Sequence, residues 1–517
     1  MTKLNYRHAL IAIICIHFLI FLLNGLFRHW GFLTTINDTG NFDQAIWGVL
    51  HEGYLHTTNI ANEPMNRLAG HFDPILYAFV PFYAIFPSVG WLVGAQALAL
   101  AVAAWPVFLL GQRVFQSEKV AFLLALAFLL NPFVLNAGAW DFHPITLAVP
   151  FIALAMLGID LKNYKLVLLS IFFILLCKEH LGVLVVGLGL VWLYKHKEWL
   201  HSVLLIVIGM VHAYVVLIII MPALSITDRP GAIGRYAWLG DSFSEIIRTM
   251  ITQPFLVLET AMITFGGFGY LVLLLLPFLF FPLLGLVFLL PGMADLAANM
   301  LSANPMPRSP IAYHSATLIP ILTIAAIYGV KKISKWQKRF AVKELSALAL
   351  IATLLMGYAF APFPLPGAKN VWAPASFIIL PDSRVQEISS LVGNEASISV
   401  QANVGAHFSQ RKEIYRYPNL VDKVDAVILW LESPTQNIHN YPKDNVESRR
   451  YIIGMLDSHL QMDRKDYLAS IENLVLDDEF GVAYWDEPWL VLKRGEQGKN
   501  VVPDVMARLE ELREEWR

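Results

Sequence analysis

Asn37-Asp38-Thr39-Gly40-Asn41-Phe42-Asp43-Gln44-Ala45-Ile46-Trp47 follows the first apolar run of the chain and carries two acids five residues apart. An acidic cluster where a greasy chain first leaves a bilayer is costly unless it lies in water or in a protein-lined cavity, so such clusters often mark function. The stretch runs on to His71-Phe72-Asp73-Pro74. Together they read as the reaction end of a polytopic membrane protein.

Composition agrees. Of 517 residues, 56% are hydrophobic and only 15% charged, and apolar runs recur at about the 20-residue length a membrane-crossing helix needs. A net charge of −2 without a basic stripe argues against nucleic acid as a partner. The two cysteines, Cys15 and Cys177, both sit in apolar runs, which implies neither a disulfide framework nor a thiolate metal site. The lead resembles a secretory signal, but Asn24, Arg28 and His29 stand where a small-x-small cleavage site belongs, so a retained first helix is expected.

Hydropathy places about 11 spans at 9–27, 89–111, 119–136, 143–161, 165–178, 181–194, 200–221, 264–281, 282–300, 311–330 and 343–361. The run 165–194 is too long for one upright helix and short for two. Its Cys177-Lys178-Glu179-His180 centre favours two short spans meeting at a polar turn, with a single tilted helix as the alternative. Lys3, Arg7, Arg113, Lys119, Lys162, Lys165, Lys195, Lys197 and the dense 331–343 cluster, including Lys338 and Arg339, set the cytoplasmic side by the positive-inside rule. The N-terminus is then cytoplasmic, in a multi-pass plasma (inner) membrane protein. Asp38, Asp43, His71, Asp73, Asp141, His143, Arg229, Arg235, Arg308 and His314 face outward.

Residues 74–83 are apolar, aromatic and proline-interrupted, which suits an interfacial segment. Asp241-Ser242-Phe243-Ser244-Glu245 is an N-cap signature for a surface helix. After residue 361 prolines end the last span, and short β-like runs at 397–400, 426–430 and 489–492 surround a helical pattern at 448–460. The expected fold is an α-helical polytopic membrane domain (1–361), a linker (362–381), a small extracytoplasmic α/β domain (382–495) and a helical tail (496–517) whose Glu and Arg residues suggest exposure.

Asp38 and Asp43 are the candidate catalytic acids: a carboxylate there serves as general base, although Asp38 as a plain helix cap is the simpler alternative. His71-x-Asp73-Pro74 and Asp141-Phe142-His143-Pro144 each pair an acid with an imidazole two residues apart, before a proline that starts a helix. Asp38, Asp43, His71, Asp141 and His143 also offer donors that suit a divalent cation such as Mg or Mn, while no cofactor is demanded. Lys178-Glu179-His180 is the strongest intramembrane signal: Lys178 suits a phosphate, or the pair Lys178 and Glu179 neutralises itself in a bend. Arg308, Tyr313 and His314 add further phosphate contacts or interfacial anchors. No Walker loop, dinucleotide fingerprint, HExxH or GxSxG element is present, so a soluble nucleotide has no evident cradle.

In layout the chain resembles the GT-C class of membrane glycosyltransferases, which use polyprenyl-phosphate-linked sugars. The likeness lies in a first helix, an external loop opening with Asp38, a His71-Phe72-Asp73-Pro74 turn into an interfacial helix, a Lys178-containing break and an external C-terminal domain. Asp38-x-Gly40-x-Phe42-Asp43-Gln44-x-x-Trp47, Asp141-Phe142-His143-Pro144, Lys178-Glu179 and Ala406-His407-Phe408-Ser409-x-Arg411 more closely resemble an uncharacterised family of predicted bacterial and archaeal membrane proteins. Where GT-C enzymes often show Asp-Glu at the loop, this chain has Asp38-Thr39, with the second acid displaced to Asp43. The resemblance implies transfer of a sugar from a polyprenyl-phosphate donor to a glycan, lipid or protein acceptor at the outer face. Asp38 would be the base, His71, Asp73, Asp141, His143, Glu179, His180 and His314 would shape the pocket, and Lys178 and Arg308 would hold the leaving phosphate. A transporter or flippase of lipid-linked sugars and a non-catalytic envelope scaffold are the rival expectations; the absence of an internal repeat weighs against the first.

Overall fold

The computed structural model describes residues 5–59, 61–226, 233–336, 341–362, 379–434, 446–498 and 500–517. Lys3, Arg229, Lys338, Arg339 and most of the expected linker lie outside them. Each expected span falls on helix. Against about 11 expected spans, six helices among the described residues are long and apolar enough to cross a membrane, or up to eight if each bent pair is one span: Tyr6–Trp30, Gly90–Phe115, Pro144–Leu161, Trp199–Leu224, Phe281–Leu301 and Val342–Phe360. Two bent pairs join them, Glu118–Leu129 with Pro132–Ala139 at 48° and Ser244–Thr252 with Pro254–Thr264 at 97°. Pro74–Ile85, Tyr164–Leu175, Leu181–His196 and Gly267–Phe278 are shorter apolar helices. The open question at 165–194 therefore resolves as two short helices around a polar break. The span expected from residue 311 begins later, as Leu318–Trp336, because Pro310 and the turn at Tyr313–Ser315 precede it.

The chain divides into two compact units, each assembled from separate segments. Unit one comprises Met1–Gly25, Leu68–Ile75 and Leu92–Lys369. Its helices approach closely where side chains vanish. A Cβ on Gly209 would lie 2.3 Å from the carbonyl oxygen of Gly182, so only glycine lets Leu181–His196 and Trp199–Tyr214 touch backbone to backbone. At the expected surface helix, Phe243–Thr252, Ser242 accepts from the Glu245 amide while Glu245 reaches back to the Asp241 amide at 2.9 Å.

Unit two comprises Leu26–Arg67, Leu76–Trp91 and Asn370–Arg517. A hairpin of β1 (His56–Thr57) and β2 (Met65–Asn66) precedes a five-stranded sheet of β3 (Ile398–Val400), β4 (Ile414–Arg416), β5 (Ala426–Trp430), β6 (Phe480–Asp486) and β7 (Trp489–Arg494). The sheet order is β4-β3-β5-β7-β6, the first three strands parallel and the last two antiparallel. Alternation along β5 sends Val427 and Leu429 to one apolar layer with Tyr467 and Ile471, and Ala426 and Ile428 to the other with Phe32, Ile36 and Trp489. The helical tail forms at Val502–Glu515, but it is not simply exposed: Val505, Leu509 and Leu512 pack into the first layer, following an apolar spacing that the conspicuous charges mask.

The first loop is part of this sheet unit. Gln44 donates to the carbonyls of Arg411 and Lys412 at 3.2 and 3.3 Å, and Thr58 donates to Ile414 at 2.6 Å. Ile36 donates its amide to Ala402 at 2.8 Å. Polar residues within 36–59 thus complete the backbone bonding of strands some 350 residues away.

Candidate functional site

In unit one the His71–Pro74 turn docks onto the break between Tyr164–Leu175 and Leu181–His196. Glu179 takes His71 Nδ1 at 3.2 Å on one carboxylate oxygen and the Phe72 amide at 3.1 Å on the other, while the Ile75 amide donates to the Leu176 carbonyl at 2.9 Å. Lys178 is half-buried beside Glu179. His180 meets Asp295 at 3.3 Å. Asp73 is fully buried next to Cys177.

A second patch gathers Asp141, His143, Arg308 and His314. Gln96 holds the Asp141–Pro144 turn from both ends of its amide: Nε2 donates to Ala137 and Trp140 at 3.1 and 2.9 Å, and Oε1 accepts from the His143 amide and the Thr146 hydroxyl, both at 3.0 Å. The His143 ring bonds through Nδ1 to the Asp141 carbonyl at 2.9 Å and stacks on Tyr313 with centroids 3.4 Å apart; His314 stacks next in line. Arg308 is buried, with Nε on the Phe265 carbonyl at 2.8 Å and Nη1 on those of Asn299 and Ser302. Through these bonds the guanidinium fixes the surrounding loop.

The two patches share one helix. Met293–Leu301 presents Asp295 to His180 and Thr317, and one turn on, Asn299 to the Tyr270 hydroxyl at 2.9 Å and the His314 carbonyl at 3.4 Å. Spacing i, i+4 puts both polar groups on one helix face. The nine expected binding residues His71, Asp73, Asp141, His143, Lys178, Glu179, His180, Arg308 and His314 all belong to unit one.

Asp38 and Asp43 belong to unit two. Asp38 is half-buried in the single π-turn Ile36–Gly40. The N-cap positions of that turn and of the helix Asn41–Glu52 are held by Thr35 and Gly40. Asp43 is 1% exposed and accepts from Tyr83 at 2.8 Å, Ser409 at 2.7 Å and Gln410 at 3.2 Å. Burial raises its carboxyl above the ordinary value, with the three donors working the other way. With both oxygens engaged, Asp43 binds the helix Asn41–Glu52 to Tyr83 and to the 409–410 turn within unit two. The rest of the late motif shares that role. His407 stacks on His29 at 4.0 Å and is kept neutral by burial, its pKa lowered to about 4. Arg411 donates from Nε to Phe408 at 2.8 Å and from Nη1 to Gly393 and Ala396 at 3.2 and 2.9 Å.

Among the described residues no group of three or more His, Cys, Asp or Glu side chains is placed to hold a metal ion. Of the expected donors, Asp38 and Asp43 lie in unit two and His71, Asp141 and His143 in unit one. Gln96, Asp295 and Asn299 were not foreseen from the sequence. Gln96 and Asp295 are isolated polar residues inside apolar runs, the signal by which intramembrane functional groups are found.

Broken short helices around a charged turn, long apolar spans and a sheet unit holding the first loop define the GT-C-like fold. The crystal structure of ArnT from Cupriavidus metallidurans bound to undecaprenyl phosphate matches over 95% of this chain and 98% of that one, with a TM-score of 0.51 at 11% identity. Residues 28–467 match the family described as Predicted membrane protein (DUF2079), and the chain belongs to that family. None of the curated proteins compared with the chain matches it.

Proposed function

We propose that the chain transfers a sugar from a polyprenyl-phosphate-linked donor to an acceptor hydroxyl at the extracytoplasmic face of the membrane. The observation that carries this reading is the helix break at Lys178-Glu179-His180, clamped by the His71–Pro74 turn through Glu179. It sets a half-buried ammonium at a polar gap between two short apolar helices. A compact cation there suits a phosphate whose lipid tail remains in the bilayer. The bound undecaprenyl phosphate of ArnT, a protein of like fold, supports the same ligand class.

In this reading Asp38 takes the proton from the acceptor hydroxyl, the acceptor oxygen attacks the anomeric carbon, and the bond from that carbon to the phosphate oxygen breaks. The lipid phosphate leaves with the bonding pair, stabilised by Lys178 and by Arg308. The anomeric centre inverts. The test uses purified protein in nanodiscs with radiolabelled undecaprenyl-phosphate sugars and envelope glycans from cells lacking the chain. Lys178→Met weakens retention of the lipid phosphate and slows transfer, whereas Asp38→Asn abolishes transfer and leaves lipid retention intact. Transfer at the wild-type rate by Asp38→Asn removes the proposed base. Lipid-phosphate binding unaffected by Lys178→Met removes the proposed seat.

A further inference from the structure

We infer that the carboxyl edge of β3 and β5 in unit two binds a neutral, hydroxyl-bearing ligand, a sugar unit of the acceptor. The choice of acceptor sugar rests on the transfer reading above; the site itself rests on the sheet. The chain leaves β3 for β4 on one side, and β5 returns on the other. In open α/β sheets the crevice outside such a reversal, at the carboxyl ends of the strands, is the usual place for a ligand.

Two buried amides stand at that edge. Gln401, directly after β3, is 1% exposed; its Oε1 accepts from the Trp430 amide at 3.0 Å and from the Tyr467 hydroxyl at 2.5 Å. Those bonds fix the side chain between the end of β5 and the helix Arg464–Leu476. Its Nε2 is buried and has no hydrogen-bond partner among the described residues. Asn403 is also 1% exposed, and its Oδ1 is likewise buried without a partner. Native chains rarely leave such atoms unpaired, because each loses its water without a replacement.

One is a donor and the other an acceptor, two residues apart. A hydroxyl accepts from the first and donates to the second at once. A carboxylate or phosphate would face Asn403 Oδ1 with a second acceptor, and an ammonium would face Gln401 Nε2 with a second donor. Arg416, at the neighbouring end of β4, turns its guanidinium to the Gln461 amide oxygen at 3.2 Å. The Trp430 indole packs on Phe32 and Trp489 in the second layer, across the sheet from Tyr467, and takes no part in the site. Both amide atoms are closed to bulk solvent, so entry requires the 401–405 turn to swing outward.

The placement also explains why the first loop is anchored here. Ile36 donates its amide to Ala402, and a Cβ on Gly405 would lie 2.7 Å from the Ile36 Cβ, so glycine is needed for the two segments to meet. The turn carrying Asp38 therefore sits on the segment that holds Gln401 and Asn403.

The test titrates the full chain in nanodiscs with methyl glycosides of neutral hexoses, and with methyl glucuronide as the charged control. A neutral glycoside binds, and glucuronide binds at least tenfold more weakly. Gln401→Glu keeps the acceptor and removes the donor, while Asn403→Leu removes the other partner. Each weakens binding about tenfold, the equivalent of about 1.4 kcal/mol. Asn403→Leu breaks no bond made by Oδ1, so it carries the test even where Gln401→Glu loosens Tyr467. Absence of neutral glycoside binding, with or without an ordered water bridging the two amides, overturns the inference, as does binding that survives both variants. Glycoside binding without any sugar transfer would leave the site standing and sink the transfer reading. Transfer with an unchanged acceptor KM in both variants would sink the site alone.

Discussion

Replacing Asp43 by alanine separates a structural acid from a reacting one. The substitution leaves the Tyr83 hydroxyl, the Ser409 hydroxyl and the Gln410 amide without their common acceptor. A buried donor that loses its partner costs about 1–3 kcal/mol. Ser409 retains the Ala406 carbonyl at 3.1 Å, and Gln410 is only half-buried, so Tyr83 dominates and the sum comes to about 3–4 kcal/mol. At about 2–4 °C per kcal/mol for a unit of this size, the melting temperature falls by about 10 °C. Asp43→Asn keeps one acceptor and loses less. It also removes a pH trend of known sign: because burial raises the folded-state pKa above the ordinary 3.8, the wild-type unit gains stability as pH falls from above the raised value towards 3.8, and the Asn variant does not. Scanning fluorimetry in nanodiscs measures the melting, and hydrogen exchange over residues 406–411 locates it. If Asp43→Ala melts and exchanges like the wild type yet transfers no sugar, Asp43 belongs to the reaction and the structural assignment is wrong.

Gln96→Leu removes five hydrogen bonds that hold the Asp141–Pro144 turn, three of them to carbonyls and two from His143 and Thr146; it is expected to cost about 2–5 kcal/mol and to raise exchange at 137–146, measured by mass spectrometry. Arg411→Lys keeps the charge but not the fork that reaches Phe408, Gly393 and Ala396 together, so a loss of about 2–4 kcal/mol is expected by denaturant titration, with no change in lipid-phosphate binding. Glu179→Ala leaves the His71 ring and the Phe72 amide without their shared acceptor, so a loss of about 1–3 kcal/mol and faster exchange at 71–75 are expected by mass spectrometry.

Apolar run length was enough to place the spans, because a helix in lipid has to be both long and greasy. The break at 176–180 was legible for the same reason in reverse: three consecutive polar residues do not stay in hydrocarbon. The charged tail was harder. Glu and Arg dominate its composition, while the three aliphatic residues that bury it stand one turn apart among them. The partners of Asp43 were not legible, since Ser409 and Gln410 are 366 and 367 residues away and no local pattern announces them. Gln96 and Asp295 gave a signal, a polar residue alone in an apolar run, but only their partners reveal what each one holds.

Pairing across such separations sets a timetable for biosynthesis. Thr58 leaves the ribosome 356 residues ahead of Ile414, the partner that accepts its hydroxyl. At about 5–20 residues per second, that is a wait of roughly 20–70 s. Throughout this interval the polar side chains of the first loop must remain hydrated or be sheltered by a chaperone. A premature stop anywhere before residue 414 would strand them permanently and expose the nascent product to quality-control proteases.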